Sequence, residues 1–480
     1  MAEVTQKLQL QHLAWRAGFG ETLPVISDWE KKRRKDIVNS ILIGPTRASI
    51  ESMDVIANSD LPDYKKLKSM TPEEKKNVQQ MNTQGIRDLN VAWINGMIKS
   101  DHPLREKMSL FWHGHFACRT ENVIFNQQLL AVIRENALGD FGDLLSAVSK
   151  TPAMLQFLNN QQNRKQHPNE NFAREVMELF TLGRGNYTEN DVKEGARAFT
   201  GWGFDDSGAF VFRDKQHDDG LKSFLGKQGN FNGDDVLKIL LDQKQTARFI
   251  TTKVYRFFVN DTPDEAIITM LSDKFYHSGY KIKSLMKEIF MSDWFYDSTL
   301  IGNRIKSPVE LLVGIRRTVP MDFEQEEVMI LFQRVLGQML FYPPNVAGWP
   351  GGRSWIDSSS LMFRLRIPQV ILYSQSFNVM PKELTPEMGG NYKMTLQMND
   401  FLKRQYAKKV NARINWDPYL QGYADVPREN LAKEIAGVLL QFPDKIGPSL
   451  LEQYADSSTR ENYIKTVTID VMSTPEYQLC

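Results

Sequence analysis

"LREKMSLFWHGHF", residues 104–116, decides the fold class. Leu104, Met108, Phe111, Trp112 and His115 recur at spacings of three and four, which places them on one face of an α-helix. The same period returns downstream. In "NENFAREVMELFTLG" (169–183) it is carried by Phe172, Val176, Leu179 and Phe180, with Gly183 as the stop signal. "YTENDVKEGARAFTGW" (187–202) opens on Thr188 with Asp191 three residues on, close to a capping box. "DDVLKILLDQKQTARFITTKVYRFFVN" (234–260) predicts two helices or one broken helix. "PDEAIITMLSDKFYHSGYKIKSLMKEIFMSDWF" (263–295) predicts a helical hairpin turning at Ser278-Gly279.

Strand signals are sparse. "GAFVFRDKQHDDGLKSFLG" (208–226) holds a β-like run, FVFR, then an Asp-Gly turn, then KSFLG, which predicts a single hairpin. "FYPPNVAGWPGGRSWIDSSSLMFRLR" (341–366) is broken by Pro343, Pro344, Gly348, Pro350, Gly351 and Gly352 and holds Trp349 and Trp355. The fold class is therefore mostly α: a large multi-helix domain with one small β-hairpin and a Pro/Gly/Trp-rich loop. No short repeat and no strong linker divides the chain, so residues 1–480 are expected to form one large helical unit. The polar stretch 58–80 is expected to be an insertion or connector. "WEKKRRKD" (29–36) is read as a solvated helix face rather than a nucleic-acid patch.

A chain of 480 residues is long enough for a large buried core, and 41% hydrophobic with 24% charged residues is an ordinary globular balance. The net charge of +1 provides no field that would draw in nucleic acid or an anionic membrane, so no nucleic-acid partner is expected. No window approaches the roughly 20 apolar residues of a membrane span. The opening "MAEVTQKLQLQHLAWRAGFG" has no apolar run of signal-peptide length, so the chain as written is expected to be soluble and its location stays open. Cys118 and Cys480 are too few for a disulfide framework or a thiolate zinc site.

Several blocks resemble those of the bacterial family called domain of unknown function 1800. They are "HLAWRAGFG", "REKMSLFWHGHF", "NENFAREVMELFTLGRGNYTENDVKEGARAFTGW", "HDDGLKSFLG", "KSPVELLVG", "PPNVAGWPGGRSWIDSSSL" and the closing "STPEYQL". They run in order from residue 12 to residue 478. The resemblance implies no chemistry. It implies that members are often exported, with genes often beside those of a second family resembling sulfatases, and this chain departs by showing no leader. It departs again at Gly114, where the family's histidine block usually carries a polar residue.

The blocks contain the residues able to do chemistry. On a continuous helix His113 and His115 lie about 200° apart and cannot share a metal; if the helix ends near Gly114 they can. The plain alternative is one imidazole hydrogen-bonded in the core and the other partly exposed. His115, on the apolar stripe, is the stronger candidate. Glu170, Asn171, Arg174, Glu175 and Glu178 fall on one helical arc. That arc is either a solvated face with a Glu170–Arg174 pair or the wall of a cleft. As a wall it supplies Asn171 and Arg174 as ligand contacts and Glu175 and Glu178 as neighbouring carboxylates for acid/base work. With His113 and His115, Glu175 could hold one divalent ion that activates a water. In "HDDGLK" an Asp-Gly turn accounts for Asp219-Gly220, leaving His217, Asp218 and Lys222 as candidates. Trp349, Arg353 and Trp355, with Asp357, could stack on and bond a sugar or other polar ligand, or merely pack. Cys118 reads as a core cysteine. No P-loop, GxGxxG, HExxH, GxSxG or EF-hand loop is present.

Two function classes follow, and the sequence leaves open whether the chain is an enzyme. The first is a metal-dependent or acid/base hydrolase with its site between helices. The second is a non-catalytic binding or scaffold protein for a cell-surface polysaccharide or a protein partner, docking through Trp349 and Trp355. The burial of those tryptophans separates the two.

Overall fold

Side-chain caps set many of the helix starts. Thr71 with Glu74, Thr188 with Asp191, Asn232 with Asp235, Ser307 with Glu310 and Asp357 with Ser360 all close capping boxes, each satisfying backbone N–H groups that a helix leaves orphaned. The computed structural model describes residues 4–44, 50–62, 64–376, 399–400, 403–404 and 409–480. The helices used below are α1 (Gln6–Ala17), α2 (Leu23–Glu30), α3 (Arg34–Leu42), α4 (Tyr64–Ser69), α5 (Pro72–Lys99), α6 (Pro103–His115), α7 (Val123–Asn136), α8 (Phe141–Ser149), α9 (Pro152–Phe157), α10 (Glu170–Glu175), α11 (Glu189–Ala198), α12 (Gly233–Leu241), α13 (Lys244–Phe258), α14 (Glu265–His277), α15 (Ile282–Met291), α16 (Pro308–Thr318), α17 (Val328–Leu336) and α18 (Ser358–Leu372). Shorter helical pieces and Arg460–Met472 follow toward the end of the chain. The mostly α class holds. Residues 234–260 form two helices, and 263–295 form the helical hairpin with Gly279 in the left-handed region.

The strand expectation is corrected. FVF does not pair with KSF. Instead β1 (Trp202–Phe204) pairs with β2 (Phe210–Phe212), and β3 (Lys222–Phe224) pairs with β4 (Lys227–Gly229), both antiparallel. The reason is local. The Asp205 carboxylate accepts the N–H groups of Ser207 and Ala209 and closes the first turn. Leu225 and Gly226 both have positive φ, as the tight turn of the second hairpin requires. A third pair, β5 (Met321–Phe323) with β6 (Ala412–Ile414), joins segments far apart in sequence.

The polar stretch 58–80 is not one element: it holds the single turn Asn58–Asp60, α4 and the exposed first turns of α5. Within 29–36 the cations pair outward, Lys32 with Asp28, Arg33 with Asp36 and Arg34 with Asp293, as a solvated face would. Among the described residues no helix is long and apolar enough to cross a membrane.

Buried apolar side chains gather in two clusters. The first is built from the α1–α15 region and the second around α5, α16, α17, α18 and the last helices. α1 and α6 feed both: Met108, Phe111 and Trp112 point into the first, Leu110 into the second. α6 is consequently buried almost all round, including Arg105, Glu106 and Lys107.

Candidate functional site

The helix question at Gly114 has a definite answer. α6 continues through His115, and Phe116 still donates to the Trp112 carbonyl at 2.8 Å. The two histidines therefore diverge, and the expected shared site of His113, His115 and Glu175 does not form. Among the described residues, no group of three or more His, Cys, Asp or Glu side chains is arranged to hold a metal ion.

His113 accepts the Phe341 N–H through Nε2 at 3.2 Å. Its ring stands edge-on to Trp93 and leans on Trp349, with centroids 5.1 and 5.7 Å away. Burial pushes it down to about 3, so it is neutral.

His115 turns the other way. Its Nε2 lies 3.3 Å from the Phe180 carbonyl and its Nδ1 lies 3.3 Å from Lys253 Nζ. The carbonyl can only accept, so Nε2 carries the hydrogen and Nδ1 receives one from Lys253. Burial first, and then the Lys253 charge, hold this imidazole neutral. Lys253 also donates to the Leu179 carbonyl at 3.1 Å. Burial and the nearby Arg256 bring its amine down to about 8.

The Leu179 and Phe180 carbonyls are available because of the backbone. After α10 the chain widens into a π-helix over Val176–Thr181, where Leu182 N–H reaches back to the Met177 carbonyl at 2.8 Å. The final carbonyls of a helix lack intrahelical partners, and Lys253 and His115 take two of them. On the predicted polar arc, half-buried Arg174 bridges Glu170 and Glu189, and exposed Asn171 donates to the Leu158 carbonyl. Glu175 and Glu178 are half-buried. Burial, then the Glu178 charge, raises the Glu175 carboxyl above its ordinary range. The Tyr187 hydroxyl donates to Glu178 Oε2, and burial followed by that bond pushes Tyr187 up to about 12.

The other predicted residues do not join this group. His217 Nδ1 donates to the Thr200 carbonyl at 2.9 Å, and Asp218 takes a two-point bond from Arg197. Lys222 is buried and donates to the Asp218 and Gly220 carbonyls. These bonds all stay within residues 197–230 and close the turn, which is structural work. The tryptophan pair is corrected too. Trp355 is 6% exposed and Trp349 is half-covered against His113, so they form no open stacking surface. Arg353 is exposed, and Asp357 caps α18 by accepting the Ser360 N–H. The loop is clamped onto α6: Gly348 has φ +79°, and a Cβ there would lie 2.3 Å from the Gly114 carbonyl oxygen. Cys118 is buried as expected.

Sequence reasoning passed over the charged residues at the start of α6. Lys107 Nζ sits 2.8 Å from Glu310 and donates to the Trp15 and Gly18 carbonyls. Arg304 lies on the other Glu310 oxygen, which also accepts the Ser307 N–H. All three charged groups are buried. Burial alone would raise the Glu310 carboxyl; Arg304 and Lys107 outweigh it and hold the group well below the usual carboxylate range. Nearby, Lys306 donates to the Tyr477 carbonyl, and Arg364 reaches Gln478 and the Lys306 carbonyl. HLAWRAGFG, REKMSLFWHGHF, KSPVELLVG and STPEYQL thus meet around one buried carboxylate. The available signal was charge placed inside apolar helical blocks.

The model of the family described as "Protein of unknown function (DUF1800)" matches residues 12–479. The chain belongs to this family. No curated protein and no solved structure matches it.

Proposed function

We propose that this DUF1800 chain is a hydrolase working by acid/base chemistry at the end of α10. The observation that carries this is Lys253, whose amine is held between His115 Nδ1 and the Leu179 carbonyl at 3.3 and 3.1 Å. Two of its three hydrogens are committed to these partners, and the Phe249 ring lies 4.8 Å from the amine. A lysine amine brought down to about 8 is partly unprotonated near neutrality, so it can take a proton from water or attack an acyl carbon itself. Glu175, with its raised carboxyl, and Glu178 with Tyr187 stand on the same helical end as groups that can return a proton to the leaving atom. The binding-protein reading loses its support because Trp355 is packed away.

Lysine acylation by acetic anhydride, followed residue by residue by mass spectrometry across pH, tests the reading. Chromogenic ester, phosphoester, amide and glycoside substrates are assayed in parallel. Lys253 is expected to titrate near 8, and Lys253→Met and Glu178→Gln are expected to abolish turnover while leaving the melting temperature close to that of the parent. Lys253 titrating at its ordinary 10.5, with no turnover in any substrate class, would refute it.

A further inference from the structure

The turn that His113 holds is strained. Phe341 has φ +66°, a left-handed conformation that a bulky side chain rarely adopts. Three helices keep it there. The Phe341 N–H donates to His113 on α6, and the Leu340 N–H donates to Gln333 Oε1 on α17 at 3.0 Å. Gln333 Nε2 in turn donates to Asn90 on α5 at 2.6 Å. Strain enforced in this way clusters at functional sites, and here it fixes the next residue, Tyr342. Pro343 and Pro344 follow and stiffen the chain beyond it.

The Arg119 guanidinium lies 5.3 Å from the centroid of the buried Tyr342 ring. Burial pushes this phenol up to about 12, so it stays neutral and is no counter-ion for Arg119. Arg87 and Arg119 oppose that rise, and Glu121 is the one carboxylate acting on the group. A second guanidinium lies within the field of Arg119. Arg334, in the last turn of α17, is half-buried. Among the described residues it makes no hydrogen bond and no ion pair. Its Nε is closed off from solvent, whereas its two terminal nitrogens are not. Burial and then the Arg119 charge bring Arg334 down to about 10, and no carboxylate counters them. Asp88 and Glu327 act on Arg87 instead. The negative end of α17 favours a cation, but it supplies Arg334 with no hydrogen bond. A half-buried guanidinium thus stands beside a like charge, with open donors and no counter-ion of its own.

We infer that Arg334 and Arg119 bind a single oxoanion group, a carboxylate or a phosphate, with Arg334 as its anchor. The terminal nitrogens of Arg334 form a fork that matches two oxygens of either group through charge-assisted hydrogen bonds. An anion shared by the two guanidiniums replaces their repulsion with attraction to a common partner. The Tyr342 hydroxyl is closed off and makes no contact with the ligand; its ring supports Arg119. Glu121 acts against a second negative charge on the ligand, which therefore presents one anionic group. None of the residues assigned to acid/base chemistry takes part, so this site does not depend on the one proposed above.

Inorganic phosphate and acetate are the probes, added separately to the full chain against sodium chloride of equal ionic strength. Calorimetry measures binding. In the unaltered protein, modification by the arginine reagent phenylglyoxal, read residue by residue by mass spectrometry, reports whether Arg334 is covered; exposed Arg353 is the reference. Arg334 is expected to react, and at least one probe is expected to bind saturably and protect it while Arg353 reacts unchanged. Protection by phosphate alone or by acetate alone identifies the class of oxoanion. Arg334→Met is expected to weaken binding by on the order of tenfold or more. Arg334→Lys, which keeps the charge, is expected to recover part of the affinity, and the protection experiment covers the case in which the methionine variant does not fold. An Arg334 that does not react, or reacts equally with and without both probes, overturns the inference, as does equal affinity in the folded Arg334→Met variant.

Discussion

The two ends of α6 contrast in how they handle polar side chains inside a packed interior. At the carboxyl end, His113 and His115 are buried neutral, and each has a backbone partner at about the reach of one hydrogen bond. At the amino end, Arg105, Glu106 and Lys107 are buried with charged partners: Glu106 between two guanidiniums, and Lys107 on Glu310. A neutral imidazole needs only one correctly placed acceptor or donor. A buried ion needs a counter-ion and further hydrogen bonds, which must come from remote segments. The charged end therefore ties together four distant pieces of chain, while the histidine end accommodates its surroundings.

The contrast breaks most sharply at Glu310. Glu310→Gln keeps the shape but leaves Lys107 and Arg304 without their carboxylate, and a loss of about 3–5 kcal/mol is expected in denaturant unfolding. Glu106→Gln removes the charge between Arg105 and Arg134 but keeps an amide oxygen to accept from them and from Trp93, so about 2–3 kcal/mol is expected. At the other end, His113→Phe removes the acceptor for the Phe341 N–H, and about 1–2 kcal/mol is expected.

Acid separates the two ends further. His113 binds its proton near 3 in the folded chain and near 6.5 when unfolded. The unfolded state therefore holds more protons between those values. Stability is fully present above 6.5 and falls as the pH drops toward 3, by about 1.4 kcal/mol per pH unit for this one group. His12 and His115, also lowered by burial, add to the same decline. Glu310 is depressed as well, so its contribution persists above 4.5 and is lost only at lower pH. Unfolding free energies measured from pH 7.5 downward should show a decline starting near 6.5 that is shallower in His113→Phe. A second decline below 4.5 should be shallower in Glu310→Gln. A pH profile unchanged by His113→Phe would mean that the imidazole is not held neutral.

Much of the helical architecture was legible because it is local. The period of three and four in 104–116, the Thr188–Asp191 cap and the Ser278-Gly279 turn all act within a few residues, and all appear where the pattern puts them. The hairpin at 208–226 was misread because two turns compete there: Asp205 and Leu225-Gly226 close tighter loops than the Asp-Gly at 219. In the candidate site, the burial of His115 was legible from its place on the apolar stripe. Lys253 was not, since it lies 138 residues away and only packing brings it to the imidazole. The π-turn over Val176–Thr181 was hidden for another reason. One π-turn changes the angular step, and spacing rules assume that step is constant.

The sequence by itself determined the helical class, the helices over 104–116, 187–202, 234–260 and 263–295 and the family, because caps, turns and periodicity are short-range and the motif blocks are long. Tertiary structure alone decided which polar residues became partners. Burial makes an unpaired charge or donor costly, and the group that relieves it can come from any distance along the chain, as Glu310 does for Lys107.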